Sequence, residues 1–356
     1  MTVAAWAGST NLGDELVLAA LLAKLRARGL RPHVLSVDPG ATCAAHGVPA
    51  STTRGLVNPL AARSAGVLLG GGGLLQDETS PLNLPFHLGR AWLAAVPHRP
   101  LAGIGLGAGP LSAPARRLVR RALSPAVAVS VRDLPSQELL QSMGVASTLA
   151  ADLAVSLPPP QVAVEGRVAV ALRPWTGARS VVPVARRRRA GSVAAPGWFV
   201  PGMAAALDHV TERTGLAPHF VALQRDRDDA VHRAVAERMR ATVTFATPDL
   251  GTALAEVAAC EAVIAMRYHA GIAALLGGRP AVLIGYSPKV ASLAADVPRG
   301  MAPLRWGPAA PVALADALVS IVGVTEPVIE ARERLRAREL GNDRVIDRLL
   351  EAATAR

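Results

Sequence analysis

The stretch MRYHAGIAALLGGRPAVLIGYSPKV, residues 266–290, gathers Arg267, Tyr268, His269, Tyr286 and Lys289. Both tyrosines of the chain are here, with one of its two lysines, although Lys and Arg together number 38. An imidazole gives or takes a proton near neutral pH, and guanidinium and ammonium groups grip carboxylates and phosphates. Arg267 and His269 stand two residues apart where the apolar run EAVIAM (261–266) ends, so both can look out of a strand's end. His269 then falls in the first turn of a helix, where the dipole favours a neutral imidazole. Pro288 opens the next helix and fixes Lys289 just after GYS. A further cation, Arg132, ends the strand in SVRDLPSQELL (130–140), placed to hold an anion or to pair with Asp133.

Two glycine-bearing segments of the first half face the same question. GSTNLGDE (8–15) joins a strand to a helix whose N–H groups could receive an anion, with Asn11 the polar side chain best placed to point at a ligand and Gly13 allowing the turn. Its G-x-x-x-x-G spacing is not a triphosphate loop, because Asp14 and Glu15 stand where Lys and Ser/Thr are needed. LLGGGGLLQDETS (68–80) places four glycines, Gly70 to Gly73, directly after an apolar strand. Such a run is expected where the backbone must be closely approached or must turn through positive φ, as a tight packing turn or an anion-binding nest. Gly71, Gly72 and Gly73 are therefore candidate ligand contacts. GIGLGAGP (103–110) lacks the geometry of a dinucleotide fingerprint.

The elements that must position these residues alternate along the chain. Strands are expected at 3–8, 33–37, 66–70, 101–106 and 126–131, with helices at 13–29, 112–124 and 134–143. LPPPQ (157–161) reads as a linker, after which strands at 166–172, 219–224, 242–245, 261–266 and 280–285 alternate with helices at 200–214, 227–240, 249–259, 269–277 and 311–322. The pattern predicts an α/β chain of two Rossmann-like, doubly wound domains facing a cleft: 1–157, 162–322, and a charged amphipathic helix over 323–356. Ligands should sit at the carboxyl ends of the strands. Consecutive parallel strands are usually neighbours, which would bring His269 and Lys289 side by side and, with Arg267 and Arg132, make a cationic pocket facing the glycine segments.

Bulk properties narrow the function. The net charge of +11 favours anionic partners, whereas aromatics make up 3% of the chain and offer no base-stacking platform, so no nucleic acid is expected. Cys43 and Cys260 form no disulfide framework, the N-terminus has no basic n-region, and no run of about 20 apolar residues occurs, which together point to the cytoplasm. No Cys/His/Asp cluster has metal spacing and no G-x-S-x-G is present. The charge leaves room for a peripheral contact with an anionic membrane, and the Arg186–Arg189 run sits in what reads as a surface loop.

GSTNLGDE, GGGGLLQDETS, VRDLPS, ADLAVSLP and MRYHAGIAALLGGRPAVLIGYSPKV, in this order and reaching to about residue 297, resemble the polysaccharide pyruvyl transferases. The resemblance implies a fold like that of GT-B glycosyltransferases, phosphoenolpyruvate as donor, and a sugar acceptor in a cell-envelope glycan or its lipid-linked precursor. It implies no cofactor. Carried over, the family's histidine is His269, its lysine Lys289, its arginine Arg132 and its first-loop asparagine Asn11. Ala7 departs from the aromatic residue common before the first glycine, and the ARRRRAG stretch has no counterpart in the family. The expected catalytic residue is His269, with Asn11, Gly13, Gly71, Gly72, Gly73, Arg132, Arg267, Tyr286 and Lys289 binding substrate. Two other readings compete: a GT-B glycosyltransferase using a nucleotide sugar, which needs an acidic ribose contact near a strand end that neither Glu261, before its strand, nor Glu256, in a helix, fits well, and a non-enzymatic module binding anionic glycans or lipid headgroups.

Overall fold

The computed structural model describes residues 1–52, 64–78, 80–95, 99–174, 195–285, 288–305 and 311–355. The Arg186–Arg189 run and Tyr286 lie outside them. The first half runs β1 (Thr2–Ala7), α1 (Leu12–Ala27), β2 (His33–Ser36), α2 (Pro39–His46), β3 (Ala50–Thr52), β4 (Val67–Leu75), α3 (Asn83–Ala95), β5 (Leu101–Ala108), α4 (Ala113–Leu123), β6 (Ala128–Val131), α5 (Leu134–Gln141) and β7 (Thr148–Leu149), then a 3-10 turn at Leu153–Ser156. The second runs β8 (Glu165–Ala171), α6 (Phe199–Thr214), β9 (Ala217–Val221), α7 (Arg225–Ala236), β10 (Thr244–Ala246), α8 (Ala253–Ala258), β11 (Cys260–Ala265), α9 (Tyr268–Gly277), β12 (Ala281–Ile284), α10 (Pro288–Asp296), β13 (Met301–Leu304) and α11 (Pro311–Val319). α12 (Glu326–Glu339) and α13 (Gly341–Thr354) follow.

The strands form two sheets, parallel at every described pairing, ordered β3-β2-β1-β4-β5-β6-β7 and β10-β9-β8-β11-β12-β13. Each order reverses once, at β1/β4 and at β8/β11, so each sheet has one switch point where crossovers leave in opposite directions and open a crevice. The expected α/β architecture of two doubly wound sheets is what the chain adopts. β11 and β12 are neighbours, with Ala265 beside Leu283, so the loops carrying His269 and Lys289 leave adjacent strands.

The glycine run departs from the expected turn. β4 continues through Gly70–Gly73 to Leu75, with register shifts against β5 beyond Gly72. Gly71 and Gly72 take φ of 68° and 86°, and a Cβ on Gly71 would lie 2.1 Å from Val17 Cγ1. The glycines thus bend the strand and let α1 rest on it; positive φ and this close approach both exclude a side chain.

The charged C-terminal stretch is two helices, and both return to the first half. α12 packs on the 3-10 turn and on α9, and α13 on β5 and β6. Lys24 Nζ reaches Glu339 and Asp343, each at 2.8 Å, while Arg28 reaches Asp343 and Asp347, each at 2.9 Å. Asn342, fully buried, donates to Ala151 O at 3.0 Å and accepts from Ser130 Oγ at 2.6 Å. One buried apolar cluster runs from Val3 and Leu16 through Leu153 to Val263, Ile272, Val328 and Ile346, joining both halves.

Candidate functional site

Where the two crevices meet lies a cavity of about 720 Å³. Its first-half wall is built by the β1–α1 loop (Ser9, Thr10, Asn11), Asp14 on α1, and the end of β4 and beyond (Gly73, Leu74, Gln76). Its second-half wall is built by Arg173 after β8, by Leu223 and Gln224 after β9, by Arg267, Tyr268 and His269 after β11, and by Lys289 on α10. Leu12 N–H donates to Leu223 O at 2.9 Å and Gln224 Nε2 to Thr10 Oγ1 at 3.2 Å, so the halves touch at the cavity's edge.

His269 is the second residue of α9 and is buried. Its ring lies against the backbone of Gly13: a Cβ there would fall 2.2 Å from Nδ1. On the other side Nε2 is 3.6 Å from Asp152 Oδ2, and Nε2 makes no hydrogen bond. The Tyr268 ring stands edge-on to the imidazole, centroids 5.2 Å apart. Burial raises the Asp152 carboxyl, but His269, Arg132 and the Ala154 N–H outweigh it and hold it well below the usual carboxylate range.

The cations arrive with partners. Arg132, buried at the end of β6, places Nη1 3.1 Å from Asp152 and Nε 3.3 Å from Asp133, and its guanidinium lies 4.2 Å from the centre of the Tyr268 ring. Burial works against its charge, and Tyr268, Asp152 and Asp133 together more than restore it. Gly107 makes the room: a Cβ there would sit 2.7 Å from Arg132 Nε. Arg267 is held by the fully buried Asp228, through Nε at 3.1 Å and through Nη2. Lys289 lies close enough to Asp14 to offset part of the rise that burial gives its carboxyl. Five described Arg and Lys residues (Arg132, Arg173, Arg227, Arg267, Lys289) face the cavity with Asp14 and Asp226, so it is net positive but mixed, where the sequence suggested cations alone.

The structure thus brings Asn11, Gly73, Arg132, Arg267, His269 and Lys289 to one cavity. Gly13 touches it through His269, and Gly71 and Gly72 serve the strand bend behind it. Asn11 is the N-cap of α1, accepting from Gly13 N–H at 3.3 Å and donating to Asp14. Two carboxylates were not singled out. Asp14 is half-buried on the cavity wall, and desolvation there lifts its carboxyl above the ordinary value despite His269 and Lys289. Asp152, in the ADLAVSLP segment, also caps the 3-10 turn through Ala154 N–H at 3.1 Å. Glu256 pairs with His219 Nε2 at 3.2 Å and Glu261 is exposed on β11; neither lines the cavity.

Comparison with solved structures places the fold. The chain is similar to S. aureus MnaA, solved with UDP, with a TM-score of 0.62 and 11% identity over 97% of this chain and 94% of that one. It is similar to the Neisseria meningitidis UDP-GlcNAc 2-epimerase bound to UDP-GlcNAc, with a TM-score of 0.60 and 11% identity over 98% of each chain. Anabaena HepE in complex with UDP and glucose gives a TM-score of 0.55 and 14% identity over 99% of this chain and 98% of that one. These likenesses establish the two-sheet fold of GT-B glycosyltransferases and epimerases. No curated protein matches the sequence. The sequence pattern of polysaccharide pyruvyl transferases matches residues 11–288, most of the chain, and spans most of the residues that line the cavity.

Proposed function

The chain belongs to the polysaccharide pyruvyl transferase family, and from that premise we propose that it transfers pyruvate from phosphoenolpyruvate to two hydroxyls of one sugar, forming a ketal and releasing phosphate. One observation carries the reading: the His269 ring is clasped between Gly13 and Asp152 on the wall of a net-positive cavity. With Nε2 turned to Asp152, Nδ1 is the nitrogen that protonates the donor's methylene carbon. The C=C pair takes that proton, leaving a cationic carbon between carboxylate and phosphate-ester oxygen. A sugar hydroxyl attacks this carbon and surrenders its proton to the Asp14 carboxylate or to the returned imidazole. Phosphate departs with its ester oxygen, and the second hydroxyl closes the ketal as its proton passes to the departing phosphate. Lys289 and Arg132 hold the donor's two anionic groups. Arg132 stays charged beside two aspartates, and its Nη2, lying between Gly107 and Gly73, is the nitrogen outside those ion pairs. Arg267 supports the site through Asp228.

The acceptor is a sugar of a cell-envelope polysaccharide or of its lipid-linked precursor, met at the cytoplasmic face of the membrane. A basic face supports that encounter: Arg116, Arg117, Arg120 and Arg121 on α4 are all exposed, and α3, which packs on α4, exposes Trp92 and Leu93. Among the described residues no helix is long and apolar enough to cross a membrane.

A thermal-shift titration with phosphoenolpyruvate beside a panel of UDP-sugars tests the donor. A ligand at about 100 times its dissociation constant adds roughly 2.7 kcal/mol. Stabilisation by phosphoenolpyruvate and not by UDP-sugars is expected. The reverse would install the nucleotide-sugar reading, for which the UDP-bound neighbours of this fold are the argument and the absence of Glu256 and Glu261 from the cavity lining the counter-argument.

A further inference from the structure

The cavity has a second end that donor chemistry does not use. Phosphoenolpyruvate is a three-carbon acid, whereas cavities of about 300–1,000 Å³ hold drug-sized ligands, and this one measures about 720 Å³. On the side of β1 and β2, three strands along the sheet from Arg132 at the end of β6, the first-half wall presents Trp6, Phe86 and His87 with Val37 and Leu82. Val37 is 42% exposed and Leu82 54%, a high exposure for apolar side chains gathered on one wall. The three rings meet edge to face: Trp6–Phe86 at 5.7 Å, Trp6–His87 at 5.4 Å and Phe86–His87 at 5.2 Å. In a chain with 3% aromatic residues such a cluster is not a compositional accident.

The cluster also has a fixed polar group. Arg90, one turn along α3 from Phe86 and His87, is buried and donates to the backbone oxygens of Ala5 and, at 3.4 Å, Leu35. It also lies 3.2 Å from His87 Nδ1 and 4.8 Å over the Phe86 ring. A guanidinium only donates hydrogen bonds, so Nδ1 must accept and the His87 proton resides on Nε2. Burial, then the Arg90 charge, lowers the His87 pKa to about 3, which keeps the ring neutral across the working range. The wall therefore combines aromatic surface with a neutral N–H donor of settled tautomer, in a frame riveted to β1 and β2 by Arg90.

We propose that the Trp6–Phe86–His87 wall is the acceptor subsite, where one sugar ring lays its C–H face on Trp6 and Phe86 and offers a hydroxyl to His87 Nε2–H. A pyranose presents that combination: an apolar face of axial hydrogens and a rim of hydroxyls. A nucleotide phosphate or a second anionic donor finds no charged partner in Trp6, Phe86, Val37 and Leu82 or in the neutral His87 ring. The subsite rests on the transfer reading only in that it supplies the second substrate, and it aims that substrate across the cavity toward His269.

The test uses the whole protein and saturation-transfer NMR with methyl glycosides of galactose, mannose and N-acetylglucosamine, titrated with and without phosphoenolpyruvate. Binding of at least one glycoside is expected, weakened tenfold or more in Trp6→Ala and Phe86→Leu and largely retained in Trp6→Phe, while the phosphoenolpyruvate thermal shift is unchanged in all three. Glycoside binding equal to wild type in both Trp6→Ala and Phe86→Leu overturns the subsite, as does the absence of any glycoside signal from the wild-type protein. If phosphoenolpyruvate gives no shift but the glycoside signal still depends on Trp6, the donor assignment falls and the subsite stands.

Discussion

One methyl group at Gly13 is enough to interfere with His269. A Cβ there would come 2.2 Å from Nδ1, and the imidazole, shut in by Tyr268 and Asp152, has nowhere close to go. Gly13→Ala should therefore cost turnover about 100-fold or more, as displacements near 1 Å do, approaching the loss in His269→Ala. Both should keep phosphoenolpyruvate binding, because neither removes Lys289 or Arg132. Single-turnover rates beside thermal shifts check this, and near-normal turnover in His269→Ala would remove the catalytic assignment. A second prediction concerns acid. His87 and His232 are buried and neutral, with pKa values lowered to about 3, chiefly by burial, from the ordinary 6.5. The unfolded chain binds these protons more readily, so stability is full above about pH 6.5 and drains as pH falls toward 3, by about 1.4 kcal/mol per unit per histidine. His87→Asn, which keeps an acceptor for Arg90, should flatten the slope of urea-unfolding free energy between pH 6 and 4 by about that much; an unchanged slope would refute it. At this scale the sequence exposed the strand-end residues, because position after an apolar run can be read directly. Asp14 and Asp152 were hidden: their effect comes from burial against His269, which only the folded chain brings to them.

Elements were legible where period and length were strong. α1, α6, α9 and the buried parallel strands appear within a few residues of their expected bounds. α3 went unread because NLPFHLGRAWLAA contains Pro85 and Gly89, both breakers in isolation, although the helix buries Leu84, Leu88 and Ala91 against the sheet. β3 and β7 are three and two residues long and carry too little pattern to recognise. The glycine run read as a turn because four glycines argue against a strand; β4 keeps them because pairing with β5 and the approach of α1 outweigh the entropy lost. The terminal helices carry a testable bond. Asn342→Ala would strip Ala151 O and Ser130 Oγ of a buried partner, and should lower unfolding free energy by about 1–3 kcal/mol in a urea titration. A change within a few tenths would show that α13 is merely adherent.

Across the whole molecule, +11 of charge is not spread evenly around the cavity but is also displayed on α4. The four exposed arginines there have no carboxylate partner among the described ion pairs, whereas those of α12 are engaged, Arg338 with Asp296 at 2.9 Å and Arg332 with Glu333 at 2.9 Å. Flotation with liposomes of anionic lipid should therefore carry the protein at low salt and release it as ionic strength shortens the Debye length from about 30 Å to about 8 Å. Replacing Arg116, Arg117, Arg120 and Arg121 by glutamine should abolish flotation and leave phosphoenolpyruvate binding intact; flotation that survives would move the membrane contact elsewhere. The return of α12 and α13 to the first half also sets an order of events during synthesis. A ribosome makes β1 to β7 long before it makes Glu339, Asn342 and Asp343, so Lys24, Ser130 and the Ala151 carbonyl must wait, unmatched, through the making of the entire second sheet. The half translated first is among the last to be finished, and a nascent chain stalled near residue 322 would hold every cavity residue named above while lacking the clasp that closes its fold.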